Sequence, residues 1–199
     1  MPAIYDLKPQ FQQLLAPLVH GLHARGASAN GVTVAALLAS IMYGTWMALA
    51  PSDRLPFCLL PVFMLVRMAL NAIDGMLARQ YRQQSRLGAL LNEIGDVVSD
   101  CALYLPFALI PGVHPVLVTA VVLLAVLTEF VGVLGQVVGP ARRYDGPLGK
   151  SDRAFCFGAL GSAICLEMPV APYADAALAL MVVLLAWTIA NRARQALTA

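Results

Sequence analysis

Acidic and amide side chains recur at helical spacing in two neighbouring stretches of an otherwise apolar sequence. Asn71 and Asp74 are three residues apart, and Asn92, Asp96 and Asp100 follow one another at intervals of four. Because residues three or four apart lie on one face of an α-helix, each stretch predicts one polar helix face. Carboxylate and amide oxygens suit a hard divalent cation such as Mg²⁺. These two faces therefore form a candidate metal site.

Small residues lie beside the acidic ones. Gly75, Ala78 and Gly88 leave room for a ligand or another helix to approach the backbone closely. Beside an acidic cluster we favour the approach of a ligand. Only the short stretch 80–86 separates the two predicted helices, so we expect them to be antiparallel neighbours whose polar faces meet.

The composition shows what kind of protein must position these residues. Of 199 residues, 60% are hydrophobic and only 12% are charged, whereas soluble domains have about 25% charged residues. The mean hydropathy is +0.75. These values exclude a disordered chain, a basic nucleic-acid-binding domain and an ordinary soluble enzyme. The sequence predicts an integral membrane protein, in which ionisable groups inside the membrane mark a functional site.

A helix needs about 20 apolar residues to cross the bilayer core. Six stretches meet this requirement: 31–50, 56–78, 87–110, 115–138, 154–170 and 174–191. The predicted fold class is therefore an all-α integral membrane protein with six transmembrane helices. We expect a single domain over residues 1–199, with an interfacial helix in 1–28 and a six-helix bundle in 29–199.

The basic residues indicate the orientation. Six spans place both termini on one side, and that side would hold eleven of the thirteen Lys and Arg residues. Cytoplasmic loops carry such an excess, so both termini and the polar faces are expected to be cytoplasmic. The small size and the lack of a signal-peptide pattern favour the inner membrane of a bacterium.

The region before the first span is amphipathic. Its apolar residues recur at helical spacing and are Phe11, Leu14, Leu15, Leu18, Val19 and Leu22. We expect an interfacial helix that starts near Pro9 and is kinked or restarted at Pro17. His20 and His23 are expected to be surface residues at headgroup level rather than metal ligands.

Two further expectations concern residues inside the spans. Cys58, Cys101, Cys156 and Cys165 show no metal-binding or CxxC spacing, which favours small buried hydrophobic side chains. Glu129 is expected to pair with Arg67 in the helix bundle.

The segment from Asn71 to Asp96 resembles the signature of the CDP-alcohol phosphotransferases, D-x2-D-G-x2-A-R-x8-G-x3-D-x3-D. The residues that match it are Asp74, Gly75, Ala78, Arg79, Gly88 and Asp96. Upstream, Asn30-x-x-Thr33 is similar to the P-N-x-x-T turn that opens the first span of the family, with Ala29 in place of the proline. The predicted architecture also matches, so the resemblance covers essentially the whole chain.

This resemblance implies an enzyme of phospholipid biosynthesis. It would transfer a phosphatidyl group from a CDP-linked lipid, such as CDP-diacylglycerol, to an alcohol acceptor and release CMP. One or two divalent cations, Mg²⁺ or Mn²⁺, would be held by Asn71, Asp74, Asn92 and Asp96, and Asp96 would be the catalytic base. The residues expected to bind CDP are Asn30, Thr33, Gly75, Ala78, Arg79 and Gly88. The resemblance also implies a homodimer.

The chain departs from the signature at two aspartate positions. Asn71 and Asn92 replace the first and third aspartates, so two formal negative charges remain of four. A pair of Mg²⁺ ions would then be poorly compensated. One metal could suffice, Glu93 and Asp100 could restore the charge, or catalysis could be lost.

We favour a catalytic variant because Asp74, Asp96 and Arg79 are retained. Arg67, one turn from Asn71, could supply a fixed cation where a metal would otherwise lie.

Two alternatives remain open. The first is an inactive family member that binds CDP-lipid. The second is a small transporter with intramembrane carboxylates, although the acidic residues lie towards one face and no inverted repeat is visible. In the basic loop 139–153, Lys150 and Arg153 could bind a phosphorylated acceptor or simply reflect the positive-inside rule. The identity of the acceptor is open.

Overall fold

The computed structural model describes residues 4–169 and 171–198, and within these ranges the chain is α-helical with no β-strand. A chain in lipid must satisfy its backbone hydrogen bonds within each segment, which favours helices. The seven α-helices are α1 (Ile4–Ala24), α2 (Ala29–Leu49), α3 (Leu55–Gln80), α4 (Arg86–Tyr104), α5 (Pro115–Val138), α6 (Lys150–Cys165) and α7 (Ala171–Leu197). The predicted all-α class is confirmed.

Among the described residues, four helices are long and apolar enough to cross a membrane: α2, α3, α5 and α7. Large apolar side chains on them face outward, and on α2 Met42 is 73% and Leu49 is 81% exposed. Exposed apolar surface on this scale suits lipid. The other two predicted spans correspond to α4, which carries the acidic face, and α6, which has 16 residues.

Several predicted boundaries differ from the structure. The predicted span 87–110 is α-helical only to Tyr104 and continues as the 3-10 helix Leu105–Leu109, because Pro106 has no N–H to continue the α-helical pattern. The predicted span 154–170 begins at Lys150 and ends at Cys165, shortly before Glu167 adopts a left-handed conformation with φ 56°. Helix α1 begins at Ile4, not near Pro9, and continues through Pro17 without a restart.

The chain divides into two compact units. The first unit contains the chain up to Met42 together with Val62–Ser99, and the second contains Tyr43–Pro61 together with the chain from Asp100 onward. The boundary between Ser99 and Asp100 falls inside α4. The segment that resembles the family signature, Asn71 to Asp96, thus belongs to the first unit.

The first unit has its own apolar core, to which α1, α2 and α3 contribute. Its buried residues are Val19, Ala29, Ile73, Met76 and Leu77. On α1, Leu14 and Leu18 remain 76% and 51% exposed. Helix α1 therefore has one apolar surface in the core and further apolar residues outside it.

The two histidines of α1 contact the end of α3. The His23 ring stacks on Tyr81 with 3.7 Å between ring centroids, and His20 Nδ1 lies 3.3 Å from the Tyr81 hydroxyl. His20 is exposed, as expected, but His23 is half-buried. Stacking on Tyr81 therefore covers part of the His23 ring, which was expected at the surface.

The second unit contains a disulfide between Cys58 at the start of α3 and Cys165 at the end of α6, with 4.8 Å between their Cα atoms. The expectation of buried free thiols is thus wrong for these two, which are 107 positions apart in the sequence. Cys101 and Cys156 are free and half-buried. An ion pair between Arg54 and Glu167 lies two to four residues from the disulfide in sequence.

Candidate active site on α3 and α4

The polar faces of α3 and α4 meet in the first unit. The Asn71 side chain donates a hydrogen bond from Nδ2 to Asp96 Oδ1 over 2.9 Å. Asp96 keeps 26% of its side chain exposed. This contact joins the two halves of the sequence pattern, as its helical spacing predicted.

Asp74 is held from a third helix. Its Oδ2 accepts a hydrogen bond of 2.8 Å from the hydroxyl of Thr33, which lies in the first two turns of α2. Asp74 is only 5% exposed. Since hydrogen bonds to a carboxylate are stronger than neutral ones, Thr33 both orients Asp74 and offsets part of its desolvation.

A buried cation lies beside the second carboxylate. Arg67 is 5% exposed, and its Nη2 donates to the main-chain oxygen of Asp96 over 3.1 Å. The same nitrogen is 3.6 Å from Asp96 Oδ1. Asp96 therefore faces both an amide donor and a guanidinium.

Polar side chains lie close to the two glycines of the pattern. A Cβ added at Gly75 would lie 3.2 Å from the Arg79 guanidinium, and a Cβ added at Gly88 would lie 2.6 Å from Asn30 Oδ1. Arg79 itself is exposed. The space that these glycines leave is thus occupied by the two polar residues expected to contact a nucleotide.

The other predicted site residues are less exposed than Arg79. Asn92 and Glu93 are half-buried on α4. Ala78 packs against the apolar core of the first unit. Asp100 lies in the second unit, where its Oδ2 is 3.3 Å from Arg153 Nη2. Arg153 therefore offsets the charge of Asp100.

The first unit contains oxygen donors of the kind that a hard divalent cation prefers. It offers the carboxylates of Asp74 and Asp96 and the amide oxygens of Asn71 and Asn92, which are suitable oxygen ligands. Among the described residues, no group of three or more His, Cys, Asp or Glu side chains could hold a metal. Arg67, 3.6 Å from Asp96 Oδ1, reduces the negative charge that this set offers to cations.

A second polar cluster, on α4, α5, α6 and α7, fills part of the second unit. Arg153 is fully buried and donates to Glu129 Oε1 over 2.9 Å and to Thr128 Oγ1 over 3.1 Å, besides its contact with Asp100. Glu129 also pairs with Arg142 at 2.8 Å. These partners replace the expected pairing of Glu129 with Arg67.

Sequence analysis did not single out Arg192. It is 2% exposed, donates to the main-chain oxygens of Thr128 and Asp145, and lies 3.6 Å from Glu129 Oε1. An acidic residue in an apolar span needs a cation, but no spacing in the sequence distinguishes Arg192 from the other arginines available to Glu129. Lys150, the other candidate in this region, begins α6 and is half-buried.

Comparisons with known proteins give a consistent result. The sequence profile of the family described as CDP-alcohol phosphatidyltransferase matches residues 27–192. Inner membrane protein YnbA of Escherichia coli is 45% identical over 194 residues, covering 98% of this chain and 96% of that protein. Archaetidylinositol phosphate synthase of Aeropyrum pernix is 26% identical over 156 residues, 77% of each chain.

Solved structures share the fold. The phosphatidylinositol phosphate synthase PgsA1 of Mycobacterium tuberculosis, crystallised with CDP-DAG bound, superposes with a TM-score of 0.77 at 17% identity and 94% coverage of each chain. Its complex with manganese and citrate also gives 0.77 at 17% identity, covering 92% of this chain and 88% of that one.

Proposed function

Because the chain belongs to the CDP-alcohol phosphatidyltransferase family, we propose that it transfers a phosphatidyl group from CDP-diacylglycerol to an alcohol and releases CMP. The observation that carries this proposal is the contact between Asn71 and Asp96, which joins the two halves of the family motif. The CDP-DAG bound to the similar mycobacterial synthase supports the choice of donor.

Asp96 is proposed as the base. It is the more exposed of the two site carboxylates and can take the proton of the acceptor hydroxyl. The alcohol oxygen then forms a bond to the phosphorus that carries the diacylglycerol, and the bond from that phosphorus to the CMP oxygen breaks. Arg79, exposed at the end of α3, would offset the charge that develops on CMP.

Asp74, Asn71, Asn92 and Asp96 would hold one divalent cation, Mg²⁺ or Mn²⁺, which when bound supplies charge neutralisation for the diphosphate. The manganese complex of the similar synthase supports the choice of a divalent cation. Thr33 keeps Asp74 oriented through its hydroxyl. The nucleotide is proposed to bind over Gly75 and Gly88.

Nucleotide binding over the glycines has a structural consequence. Arg79 lies over Gly75, and Asn30 lies over Gly88. We expect both side chains to turn towards the bound CDP, where an arginine can pair with phosphate. Ala78 would then act mainly by its small size at the edge of the core.

We further propose six membrane spans in the inner membrane of a bacterium, with both termini and the site on the cytoplasmic side. Four apolar helices and the similarity to an inner membrane protein support the location. The disulfide supports the orientation, because Cys58 lies at the end of α3 opposite Arg79 and disulfides persist in the periplasm. Exposed Leu14 and Leu18 would let α1 lie on the membrane surface.

The acceptor is to be identified by assay. Arg153 is fully buried and bonded to Asp100 and Glu129, which favours a structural role for it. Lys150, half-buried at the start of α6, is the better candidate for contact with a phosphorylated acceptor. The expected homodimer can be tested by cross-linking in native membranes.

The test is CMP release by the purified full-length protein with CDP-diacylglycerol, Mg²⁺ or Mn²⁺ and a panel of alcohols. We expect CMP with at least one acceptor, and about 10²–10⁴-fold less CMP from the Asp96→Asn variant. The matched control is Asp145→Asn, which changes an exposed aspartate of the second unit. Binding of CDP-diacylglycerol without CMP from any acceptor would instead indicate an inactive member. The family match does not favour a transporter.

A further inference from the structure

Arg67 is a buried cation beside a site carboxylate, and it lies outside the family signature. We infer that its guanidinium supplies the positive charge that a second divalent cation would supply in a four-carboxylate form of the motif. The site of this chain then binds a single divalent cation. The inference rests on the proposed function for the location of the metal site.

The burial and contacts of Arg67 support the inference first. Its side chain is 5% exposed, and Nη2 is 3.1 Å from the main-chain oxygen of Asp96 and 3.6 Å from Oδ1 of the same residue. Burying an arginine is costly unless a negative group compensates it. A buried arginine that contacts a site carboxylate is therefore a fixed part of the charge balance of the site.

The replacement of an aspartate by Asn71 fits the same arrangement. The amide of Asn71 donates to Asp96 Oδ1 over 2.9 Å. A carboxylate at position 71 could not donate this bond when ionised, and it would repel Asp96. Asn71 and Arg67 thus both stabilise the negative charge of Asp96.

The charge balance decides the number of cations. The two carboxylates, Asp74 and Asp96, and the guanidinium of Arg67 leave one net negative charge. Half-buried Glu93 and exposed Arg79 carry opposite charges and leave this sum unchanged. One divalent cation would bring the site to one net positive charge, and a second would bring it to three. Such an excess in a partly buried site is strongly unfavourable. Four carboxylates without an arginine would balance two divalent cations.

The first experiment counts bound metal. Mn²⁺ alone is titrated into the purified full-length protein, and free Mn²⁺ is measured by electron paramagnetic resonance. We expect one Mn²⁺ per chain in the wild type. We expect two per chain in the triple variant Arg67→Gln, Asn71→Asp, Asn92→Asp. Two Mn²⁺ ions in the wild type, or none, would overturn the inference.

The second experiment isolates the charge of Arg67. In Arg67→Gln, the single Mn²⁺ should bind on the order of tenfold more tightly because a nearby positive charge is gone. Arg67→Lys keeps the charge and should bind Mn²⁺ as the wild type does. The matched control is Arg54→Gln, which removes an arginine just before α3 that pairs with Glu167. An unchanged or weakened affinity in Arg67→Gln would contradict the inference.

These experiments can reject the inference and the proposed function independently of each other. The count for the wild type needs no variant, so it stands even if Arg67→Gln does not fold. One Mn²⁺ per chain without CMP release from any acceptor would reject the transferase and keep the inference. CMP release with two Mn²⁺ per chain would do the reverse.

Discussion

Both units of the chain contain an arginine paired with a carboxylate, but the paired carboxylates differ in their exposure to solvent. In the first unit, the Arg67 guanidinium is 3.6 Å from Asp96 Oδ1, and Asp96 keeps 26% of its side chain exposed. In the second unit, Arg153 is fully buried and lies 2.9 Å from Glu129. Asp96 remains accessible, whereas Asp100 and Glu129, the carboxylates around Arg153, are buried.

This difference separates chemistry from stability. A carboxylate that must take a proton from a substrate needs an accessible oxygen atom. A buried ion-pair network needs every charge to be compensated. Substitutions in the first cluster should therefore reduce activity with little loss of stability, and substitutions in the second should reduce the free energy of unfolding.

The largest effect is expected for Asp74→Asn. Removing this ligand charge should lower CMP release by about 10³-fold, because cation-assisted charge neutralisation contributes several kcal/mol. The unfolding free energy should stay within about 1 kcal/mol of the wild-type value, since a buried charge is removed. CMP release and unfolding in detergent are measured on the same preparation. A variant that retains activity would place the cation elsewhere.

Arg153→Met should act on stability. It leaves Asp100 without the guanidinium that neutralises it and removes one partner of Glu129, so we expect a loss of about 3–5 kcal/mol. Equilibrium unfolding measures this loss. Adding Asp100→Asn should restore part of it. A stable Arg153→Met protein with no CMP release would show that the second cluster serves catalysis instead.

Thr33→Val tests the support of Asp74 with almost no change in volume. Loss of the hydrogen bond should lower CMP release at least about tenfold, since a hydrogen bond to a charged group contributes about 1.5–3 kcal/mol. Thr119→Val is the matched control, because that hydroxyl bonds only to the carbonyl of Pro115 one turn earlier. Equal effects of the two substitutions on CMP release would show that Thr33 has no specific functional role.

The smallest effect is expected for Arg54→Gln. This arginine and its partner Glu167 have side chains 55% and 68% exposed, and exposed ion pairs contribute about 0–1 kcal/mol. Equilibrium unfolding should therefore give nearly the wild-type free energy. A loss comparable to that of Arg153→Met would show that burial does not explain the difference between the clusters.

Periodic patterns in the sequence predicted much of the fold and part of the site. The lengths of the apolar stretches predicted the helices. Polar residues spaced by three and four predicted that Asn71 and Asp96 would lie on helix faces that meet. Single prolines were less informative about where helices end. Pro17 does not interrupt α1, whereas Pro106 ends the α-helical part of its segment.

Long-range pairings were not predictable in the same way. The disulfide joins Cys58 and Cys165 across 107 positions, and no local spacing indicates it. Glu129 has several arginines of equal chemistry available in the sequence, and only the fold selects Arg142 and Arg153 over Arg67. The sequence identifies which charges need partners, and tertiary structure determines the partners.

The central claim is tested most directly by Asp96→Asn, with CMP release and unfolding measured on one preparation. We predict that CMP release from CDP-diacylglycerol falls about 10²–10⁴-fold, the usual contribution of a general base, while the unfolding free energy changes by less than about 1 kcal/mol. Full CMP release by this variant, or an equal loss of fold and activity, would contradict the assignment of Asp96 as the base.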